Sequence, residues 1–371
     1  MKLVVFGLTI SSSWGNGHAT LWRALCKALA RRGHAVTFYE RDVDYYAANR
    51  DLSEVPGGRL VLYPDWDGVR AAARRDLADA DAALVTSYCP DGIAAADLVL
   101  DSAAGVRAFY DLDTPVTLAR FEAGESVGYV GPRGLRDFDL VLSYTGGGAL
   151  SALRRVLGAR QVAPLYGSVD PEVHRPVPPL DRFRADLSYL GTFAADRQAA
   201  VEELLVEPAR RHPDRRFLIG GACYPDDFPW TENIWFVRHL PPAEHPAFYS
   251  SSRLTLNVTR AAMAAMGHCP SGRLFEAAAC GVPILTDTWE GLDAFYAPGR
   301  EILTARDRRD VAGALATPDA ELARIARAAR ERTLDEHTAD RRALELETLL
   351  SEATAPPASR QAERRPAQAG A

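Results

Sequence analysis

The chain has 371 residues, of which 47% are hydrophobic, and this is enough for two domains that each bury a core. Its formal net charge of −6 argues against a general binder of nucleic acids or of membrane surfaces. The five cysteines have no metal-ligand spacing, and their odd number, with no signal peptide, predicts reduced thiols in a cytoplasm. No segment approaches the roughly 18 consecutive apolar residues that a membrane span requires. The alanine- and arginine-rich composition is typical of a bacterium with a GC-rich genome.

Short apolar runs alternate with helical segments and predict parallel strands joined by helices. In the first half, the predicted strands are 3–7, 35–39, 59–63, 82–88, 106–110 and 139–144. After a proline-rich segment, 164–183, predicted strands recur at 186–193, 216–220, 233–237, 253–258 and 282–286. We therefore expect an α/β protein with two doubly wound, Rossmann-like domains, residues 1–170 and residues 171–335.

The end of the chain differs from these alternating halves. Residues 319–350 are predicted to form one or two long charged helices, and residues 336–353 to form a helix that braces the two domains. Residues 354–371 have no periodicity and no large apolar side chains. We expect this tail to be disordered.

The glycine-rich segment SSWGNGHATLWRALCKALARRGH, residues 12–34, follows the first predicted strand. Leu21, Leu25 and Leu29 form an apolar stripe at four-residue spacing, which predicts a helix, and Gly33 is placed to end it. The next strand follows directly. The loop before this helix therefore lies at the carboxyl end of a parallel sheet, where open α/β folds bind ligands.

The stretch MGHCPSGRLFEAAACGVPILTDTWEGLD, residues 266–293, predicts an anion site at the start of a helix. Ser271 or Gly272 is expected to begin this helix, whose free N–H groups and positive dipole end attract a phosphate. Gly272 permits close approach to the backbone, and Arg273 adds a cation with fork geometry. Glu276, one turn inside the helix, can accept hydrogen bonds from a ribose. A nucleoside diphosphate therefore fits this segment.

The segment SGRLFEAAACGVPILTDTWEGLDAFYAPGREIL resembles the donor-binding region of GT-B glycosyltransferases, specifically the CgeB-like (spore maturation protein-like) group. Further segments resemble the same group, namely SSSWGNGHATLWRAL, FYDLDTPVTLARF, LSYTGGGAL and LNVTRAAM. The resemblance extends over nearly the whole chain before the tail. It implies a GT-B fold, in which two Rossmann-like domains face each other across a cleft and C-terminal helices brace them. It also implies that the first domain binds an acceptor and the second a nucleotide sugar.

A looser resemblance links the same segment to plant small-molecule glycosyltransferases, which carry the pattern H-C-G-W-N-S-x-x-E. His268, Cys269 and Glu276 match this pattern at the same spacing. Gly272 and Arg273 replace its asparagine and serine. We therefore expect these two residues to contact phosphate in a different way.

The resemblance implies that His18 points into the cleft, because the plant enzymes place their catalytic histidine at a matching position. A neutral imidazole, with a pKa of about 6.5, suits deprotonation of an acceptor at cell pH. The alternative is that His18 only caps or positions its helix. Asp111 and Asp113 follow a predicted strand, and strand alternation predicts that they point the same way. Either carboxylate is a candidate to orient His18, to bind acceptor hydroxyls or to cap the next helix, with Asp113 ranked first as a residue of the site.

The remaining candidates lie mostly in strand-to-helix turns. The expected donor-binding residues are Gly15, Gly17, Gly191, Thr192, Arg197, Arg238, His239, Arg260, His268, Ser271, Gly272, Arg273, Leu274 and Glu276. The residues expected near the sugar or the acceptor are Thr145, Gly146, Gly147, Asp287, Trp289 and Glu290. A solvated surface arginine is the alternative for Arg197.

The motifs and the resemblance together imply a glycosyltransferase that moves a sugar from a nucleotide diphosphate sugar to an acceptor hydroxyl or amine, with inversion and with His18 as the base. The resemblance implies that no essential metal is needed, since GT-B enzymes typically act without one, and the sequence has no paired acidic metal motif. We also expect no cofactor. We expect no nucleic-acid partner, and the oligomeric state is not predicted. Three alternatives stay open: a retaining GT-B transferase, in which His18 would hydrogen-bond the sugar; a nucleotide-sugar epimerase; and a non-catalytic spore- or surface-assembly protein.

Overall fold

The computed structural model describes residues 1–354 and contains two parallel β-sheets. The strands of the first sheet are β1 (Lys2–Gly7), β2 (Ala35–Arg41), β3 (Arg59–Tyr63), β4 (Ala82–Thr86), β5 (Val106–Asp111), β6 (Leu140–Ser143) and β7 (Val162–Pro164). Those of the second are β8 (Leu187–Leu190), β9 (Phe217–Gly221), β10 (Ile234–Arg238), β11 (Thr255–Asn257), β12 (Ile284–Thr286) and β13 (Leu303–Thr304). Their spatial orders are β3-β2-β1-β4-β5-β6-β7 and β10-β9-β8-β11-β12-β13.

Helices connect these strands on both sides of each sheet. Those of the first half are α1 (His18–Arg31), α2 (Asp44–Ala47), α3 (Trp66–Leu77), α4 (Gly92–Leu100), α5 (Thr114–Glu122) and α6 (Gly148–Leu157). Those of the second half are α7 (Ala195–Val201), α8 (Glu207–Arg211), α9 (His245–Ser250), α10 (Ala261–Met266), α11 (Gly272–Ala279), α12 (Arg308–Ala316), α13 (Asp319–Glu336) and α14 (Ala339–Thr354). Every helix among residues 1–354 is too short or too polar to cross a membrane.

Each sheet is covered by apolar side chains on both faces, as a parallel sheet requires. In β1, Val4 and Phe6 belong to one buried cluster, whereas Leu3 and Val5 belong to the cluster on the opposite face. The second sheet likewise separates two buried clusters. The expectation of two doubly wound, Rossmann-like α/β domains is therefore confirmed.

Two strands, β7 and β13, were not predicted from the sequence because they are short. Strand β7 has three residues and ends on Pro164, inside the segment that we assigned to the linker, and β13 has only two residues. Neither is long enough to show a hydrophobic pattern, so each is recognisable only by its pairing with β6 or β12. Of the expected disordered tail, Thr354 ends α14, and residues 355–371 lie outside the described part of the chain.

The last helix returns to the first domain. After α13 ends in the second domain, backbone hydrogen bonds pair Val169 with the start of α14, from Val169 N–H to His337 O (3.0 Å) and from Ala339 N–H to Val169 O (2.8 Å). Helix α14 then packs on α1 and buries Leu346 and Leu350 beside Leu25. The helix therefore ties the end of the chain to the opposite domain.

We expect Leu346→Ala to lower the free energy of unfolding by about 2–5 kcal/mol, because Leu346 is fully buried and its removal leaves a cavity. Leu344→Ala in the same helix is the matched control, since Leu344 is 42% exposed, and we expect it to change the stability by less than about 0.5 kcal/mol. Urea unfolding measures both values. Equal effects of the two substitutions would contradict the packing of α14 against the first domain.

Candidate functional site

A cavity of about 600 Å³ lies between the two domains, at the carboxyl ends of strands from both sheets. Of the first-domain candidates, Gly15, Gly17, His18 and Asp113 line it. The second-domain candidates that line it are Gly191, Thr192, Arg197, His239, Arg260, Ser271, Gly272, Arg273 and Glu276. The structure thus brings together residues that lie more than 250 positions apart in the sequence.

A buried carboxylate holds the first-domain loop. Glu40, at the end of β2, is 1% exposed. Its carboxylate accepts hydrogen bonds from Ile10 N–H (2.8 Å), from Ser11 N–H (3.0 Å), and from the hydroxyl groups of Thr9 and Ser11. Such a carboxylate, with its partners in place, fixes the backbone that leads to the glycine-rich loop. Sequence analysis missed Glu40; the signal is an acidic residue within the predicted strand-end sequence FYER.

His18 begins α1 and contacts a carboxylate across the domain. Its Nε2 atom lies 3.3 Å from Asp113 Oδ2, and both side chains are mostly buried at the wall of the cavity. Its Nδ1 atom is buried without a hydrogen-bond partner. The partner of His18 is therefore Asp113, one of the two candidates that the sequence left open. Asp113 occupies the residue before α5, but its side chain does not cap that helix.

Asp111 does not line the cavity, contrary to the expectation that it points the same way as Asp113. Strand β5 ends at Asp111, so strand alternation no longer applies two residues later. The Asp111 side chain is fully buried, and its Oδ1 atom accepts hydrogen bonds from Thr117 Oγ1 and from Asp113 N–H, each 3.1 Å long. Burial raises the pKa of Asp111 to about 7, although these hydrogen bonds act in the opposite direction. Asp111 thus supports the turn that carries Asp113.

The raised pKa of Asp111 predicts a pH-dependent stability. The unfolded chain releases this proton near pH 3.8 and the folded chain near pH 7, so stability falls as the pH rises through this interval and is level above it. Asp111→Asn keeps the Oδ1 acceptor and removes the titration. Relative to the wild type, we expect the variant to gain up to about 4 kcal/mol between about pH 4 and pH 7.5. Urea unfolding at several pH values measures this, and parallel pH profiles for the two proteins would contradict it.

The second-domain wall carries the start of α11 and a fixed arginine. Ser271 caps the helix by accepting a hydrogen bond from Arg273 N–H. The Arg273 guanidinium donates to Asn257 Oδ1 (2.8 Å) and lies 5.6 Å from the centre of the Tyr189 ring. A side-chain carbon on Gly191 would lie 3.2 Å from this guanidinium, so glycine leaves room at this wall.

Two further arginines, Arg197 and Arg260, line the cavity together with Arg273. Arg197 donates to the carbonyl of Thr192, and burial lowers its pKa, with Arg273 adding a smaller effect in the same direction. Arg260 pairs with Asp196 through Nε at 2.8 Å. Arg197 is largely enclosed, and the charge of Arg273 acts on its pKa. It is therefore not a solvated surface arginine, which was the alternative. This clustering of positive charge matches an anionic ligand.

Glu276 lies deeper in the same wall. Burial raises the pKa of its carboxyl group, but His174, His245 and Arg273 together outweigh that effect and lower the pKa to about 2. Its side chain is 14% exposed. Glu276 is therefore a carboxylate at neutral pH, able to accept hydrogen bonds from hydroxyl groups.

Several candidates lie away from the cavity. Four of them, namely His268, Thr145, Gly146 and Gly147, belong to one contact between the two domains. The His268 ring is wedged between Gly147 and Gly291, where a side-chain carbon would lie 2.5 Å and 2.3 Å from the ring, respectively. Gly146 N–H donates to the His268 carbonyl (2.9 Å). The glycines of the first-domain turn thus make room for a contact between the domains, and neither they nor His268 line the cavity. Thr145 joins the same contact through Cys269 Sγ (3.2 Å).

The other candidates that do not line the cavity have structural roles or face solvent. Asp287 accepts hydrogen bonds from Thr259 N–H (3.1 Å) and Oγ1 (2.9 Å), and thereby holds the segment before Arg260. Leu274 and Trp289 pack in the core of the second domain. The Glu290 side chain is 85% exposed, and Arg238 is also exposed and does not line the cavity.

Tyrosines that sequence analysis missed also line the cavity, namely Tyr46, Tyr88, Tyr144 and Tyr249. Tyr88 has a φ angle of +62°, a left-handed conformation that is rare for a tyrosine. Its ring lies 5.9 Å from that of His18. Because Tyr88 follows β4, at the carboxyl edge of the sheet, the sequence could have predicted that it lines the cleft. The position of Tyr249 inside α9 gives no such indication.

Comparison with known proteins agrees with this two-domain arrangement. Residues 197–348 match the model of a family described as glycosyl transferase-like. A sucrose-phosphate synthase from Thermosynechococcus elongatus has a TM-score of 0.70 at 16% identity, over 95% of this chain and 98% of that chain. The Anabaena protein HepE in complex with UDP-glucose has a TM-score of 0.69 at 12% identity, over 95% of this chain and 100% of that one.

The chain has the GT-B fold. The catalytic domain of starch synthase IV from Arabidopsis thaliana, bound to ADP and acarbose, is a further GT-B neighbour, with a TM-score of 0.66 at 12% identity over 95% of this chain and 99% of that one. No curated protein matches the sequence. The cavity described above is thus the interdomain cleft of a GT-B protein.

Proposed function

We propose that this GT-B protein transfers a sugar from a nucleoside diphosphate sugar to an acceptor hydroxyl or amine. One observation carries the proposal: Arg197, Arg273 and the start of α11 converge on one wall of the cleft, and His18 and Asp113 lie together on the first-domain wall. The first set suits a diphosphate and the second suits proton transfer. The match of residues 197–348 to a glycosyl transferase-like family supports the same conclusion.

The donor is held by the second domain. The free N–H groups of α11 and the Arg273 guanidinium bind the diphosphate, while Glu276 accepts hydrogen bonds from the ribose. Negative charge that develops on the leaving phosphate meets Arg273, Arg197 and Arg260. Charges fixed in advance stabilise such a transition state strongly, so we propose that these cations act in place of an essential metal.

The acceptor is activated by the first domain. The His18 imidazole takes the acceptor proton, Asp113 stabilises the resulting imidazolium, and the acceptor attacks the anomeric carbon opposite the leaving phosphate. This displacement inverts the anomeric centre. The glycine-rich loop and the Thr114–Glu122 helix position these two groups at the cleft.

A retaining transfer is the second candidate, and a specific observation favours it. His18 Nδ1 is enclosed and Nε2 already faces Asp113, so the free protein presents no unoccupied imidazole nitrogen to the cleft. In a retaining reaction His18 has no base role, so no free lone pair is required at this position. The motifs quoted above support membership of the CgeB-like group, and the unpaired cysteines, four buried and Cys223 exposed, fit a reducing cytoplasm.

Nucleotide binding tests the donor site directly. Because neighbours of the same fold contain UDP-glucose or ADP, UDP and ADP are the first ligands to titrate by calorimetry, in the presence of a chelator. We expect one of them to bind at least about tenfold more tightly than its nucleoside, since the diphosphate makes the charged contacts. Equal affinity of the diphosphate and the nucleoside would contradict this donor site.

A further inference from the structure

Three side chains from separate segments meet behind the ribose-binding carboxylate. His174 comes from the linker between the domains, His245 begins α9, and Glu276 lies in α11. One nitrogen from each histidine and one Glu276 oxygen all lie within 4.8 Å of one another. Two histidines and one carboxylate form a ligand set typical of Zn²⁺ sites that keep a further position open.

The distances in this cluster do not match hydrogen bonds. Glu276 Oε2 lies 3.5 Å from His245 Nδ1 and 3.9 Å from His174 Nε2. In a tetrahedral zinc site with bonds of about 2.0–2.1 Å, neighbouring ligand atoms are roughly 3.3–3.4 Å apart. The side chains are therefore separated by about the space that one such ion needs.

The histidine nitrogens lack the partners that a buried imidazole requires. His174 is 6% exposed, and neither of its ring nitrogens has a hydrogen-bond partner. His245 Nε2 lies 3.3 Å from the Leu240 carbonyl, which can only accept, so the ring proton belongs on Nε2. The Nδ1 atom of His245 is buried without a hydrogen-bond partner and faces the Glu276 carboxylate. A cation between His245 Nδ1 and the carboxylate would contact both groups, and the carbonyl contact is the outer-shell support that zinc-binding histidines usually have.

We propose that His174, His245 and Glu276 bind a zinc ion that excludes the donor nucleotide from the cleft. Binding of the metal depends only on the three side chains. Its competition with the nucleotide rests on the proposed function, because it requires Glu276 to be the ribose ligand. Glu276 and His245 line the cleft and provide the path of entry. Zinc is thus an inhibitor here and takes no part in sugar transfer.

Titration of the full-length, chelator-treated protein with Zn²⁺ tests the site. The Cys223→Ser background removes the exposed thiol, which could bind zinc by itself. We expect one equivalent to bind, and His174→Gln and His245→Gln each to weaken binding by at least about 100-fold, beyond the 10–100-fold cost of losing an outer-shell partner. His212→Gln is the matched control, since His212 does not line the cleft, and we expect wild-type affinity for it.

Two measurements keep the test independent of how well the variants fold. Co²⁺ bound to the unmutated site should give the absorption spectrum of a tetrahedral ion. Zn²⁺ should raise the apparent Kd of UDP or ADP at least about tenfold in the parent protein and not in His174→Gln. No metal binding, an octahedral Co²⁺ spectrum or zinc affinity unchanged by both substitutions would overturn the site. Zinc binding without competition would overturn only the exclusion of nucleotide. Nucleotide binding measured in chelator reports separately on the proposed function.

Discussion

Arg273→Met is expected to lower kcat for sugar transfer by about 10²–10³-fold, the usual cost of removing one fixed group that stabilises developing charge. Methionine keeps the unbranched aliphatic stem of the side chain and removes only the guanidinium. That group is held by Asn257, so it is already in place when charge appears on the leaving phosphate. Initial rates of nucleoside diphosphate release at saturating donor measure the effect.

Arg215→Met is the matched control for this prediction. Arg215 pairs with Asp186 (2.7 Å) before β9, at the amino end of the second sheet and away from the cleft. We expect its kcat to equal that of the wild type. An Arg273→Met enzyme that retains full kcat, or equal losses in both variants, would contradict the role assigned to Arg273.

His18→Ala is expected to lower kcat by about 10²–10⁴-fold, the range that general base catalysis contributes. Asp113→Asn should have a smaller effect of the same sign, because asparagine can still orient the imidazole but no longer stabilises the imidazolium. Donor binding should survive both substitutions, since neither residue belongs to the second-domain wall. Steady-state rates and nucleotide titrations separate the two effects.

The matched control for His18 is His212→Gln, for which we expect wild-type rates. Transfer that persists in His18→Ala at the wild-type rate would exclude His18 as the base. It would favour the retaining mechanism. The stereochemistry of the isolated product then gives an independent answer.

Local sequence signals predicted much of the second-domain wall of the cleft. The start of α11 follows from Ser271 and Gly272 before an apolar, alanine-rich run, and Arg273 and Glu276 reach the cleft because helix geometry places both on the exposed side of that start. Likewise, His18 begins α1 as expected. These inferences needed only the order of residues within one element.

Positions that depend on long-range packing could not be predicted in this way. His268 matches a donor motif by spacing, but its ring occupies the gap between Gly147 and Gly291, which are distant from each other in the sequence. Asp111 and Asp113 differ because the chain leaves the strand between them, a detail of backbone torsion that composition does not encode. His174 lies in a proline-rich linker with no pattern of its own, and only the tertiary structure brings it to Glu276.

The most direct test of sugar transfer is nucleoside diphosphate release from a panel of nucleotide sugars by the purified protein. Each sugar is assayed with and without a mixed acceptor extract, and with Arg273→Met in parallel. Transfer predicts release that depends on both one donor and the acceptor, and that falls by about 10²–10³-fold in the variant. Release from no donor under any condition, in a protein that binds the nucleotide, would contradict transferase activity and leave a nucleotide-sugar-binding protein.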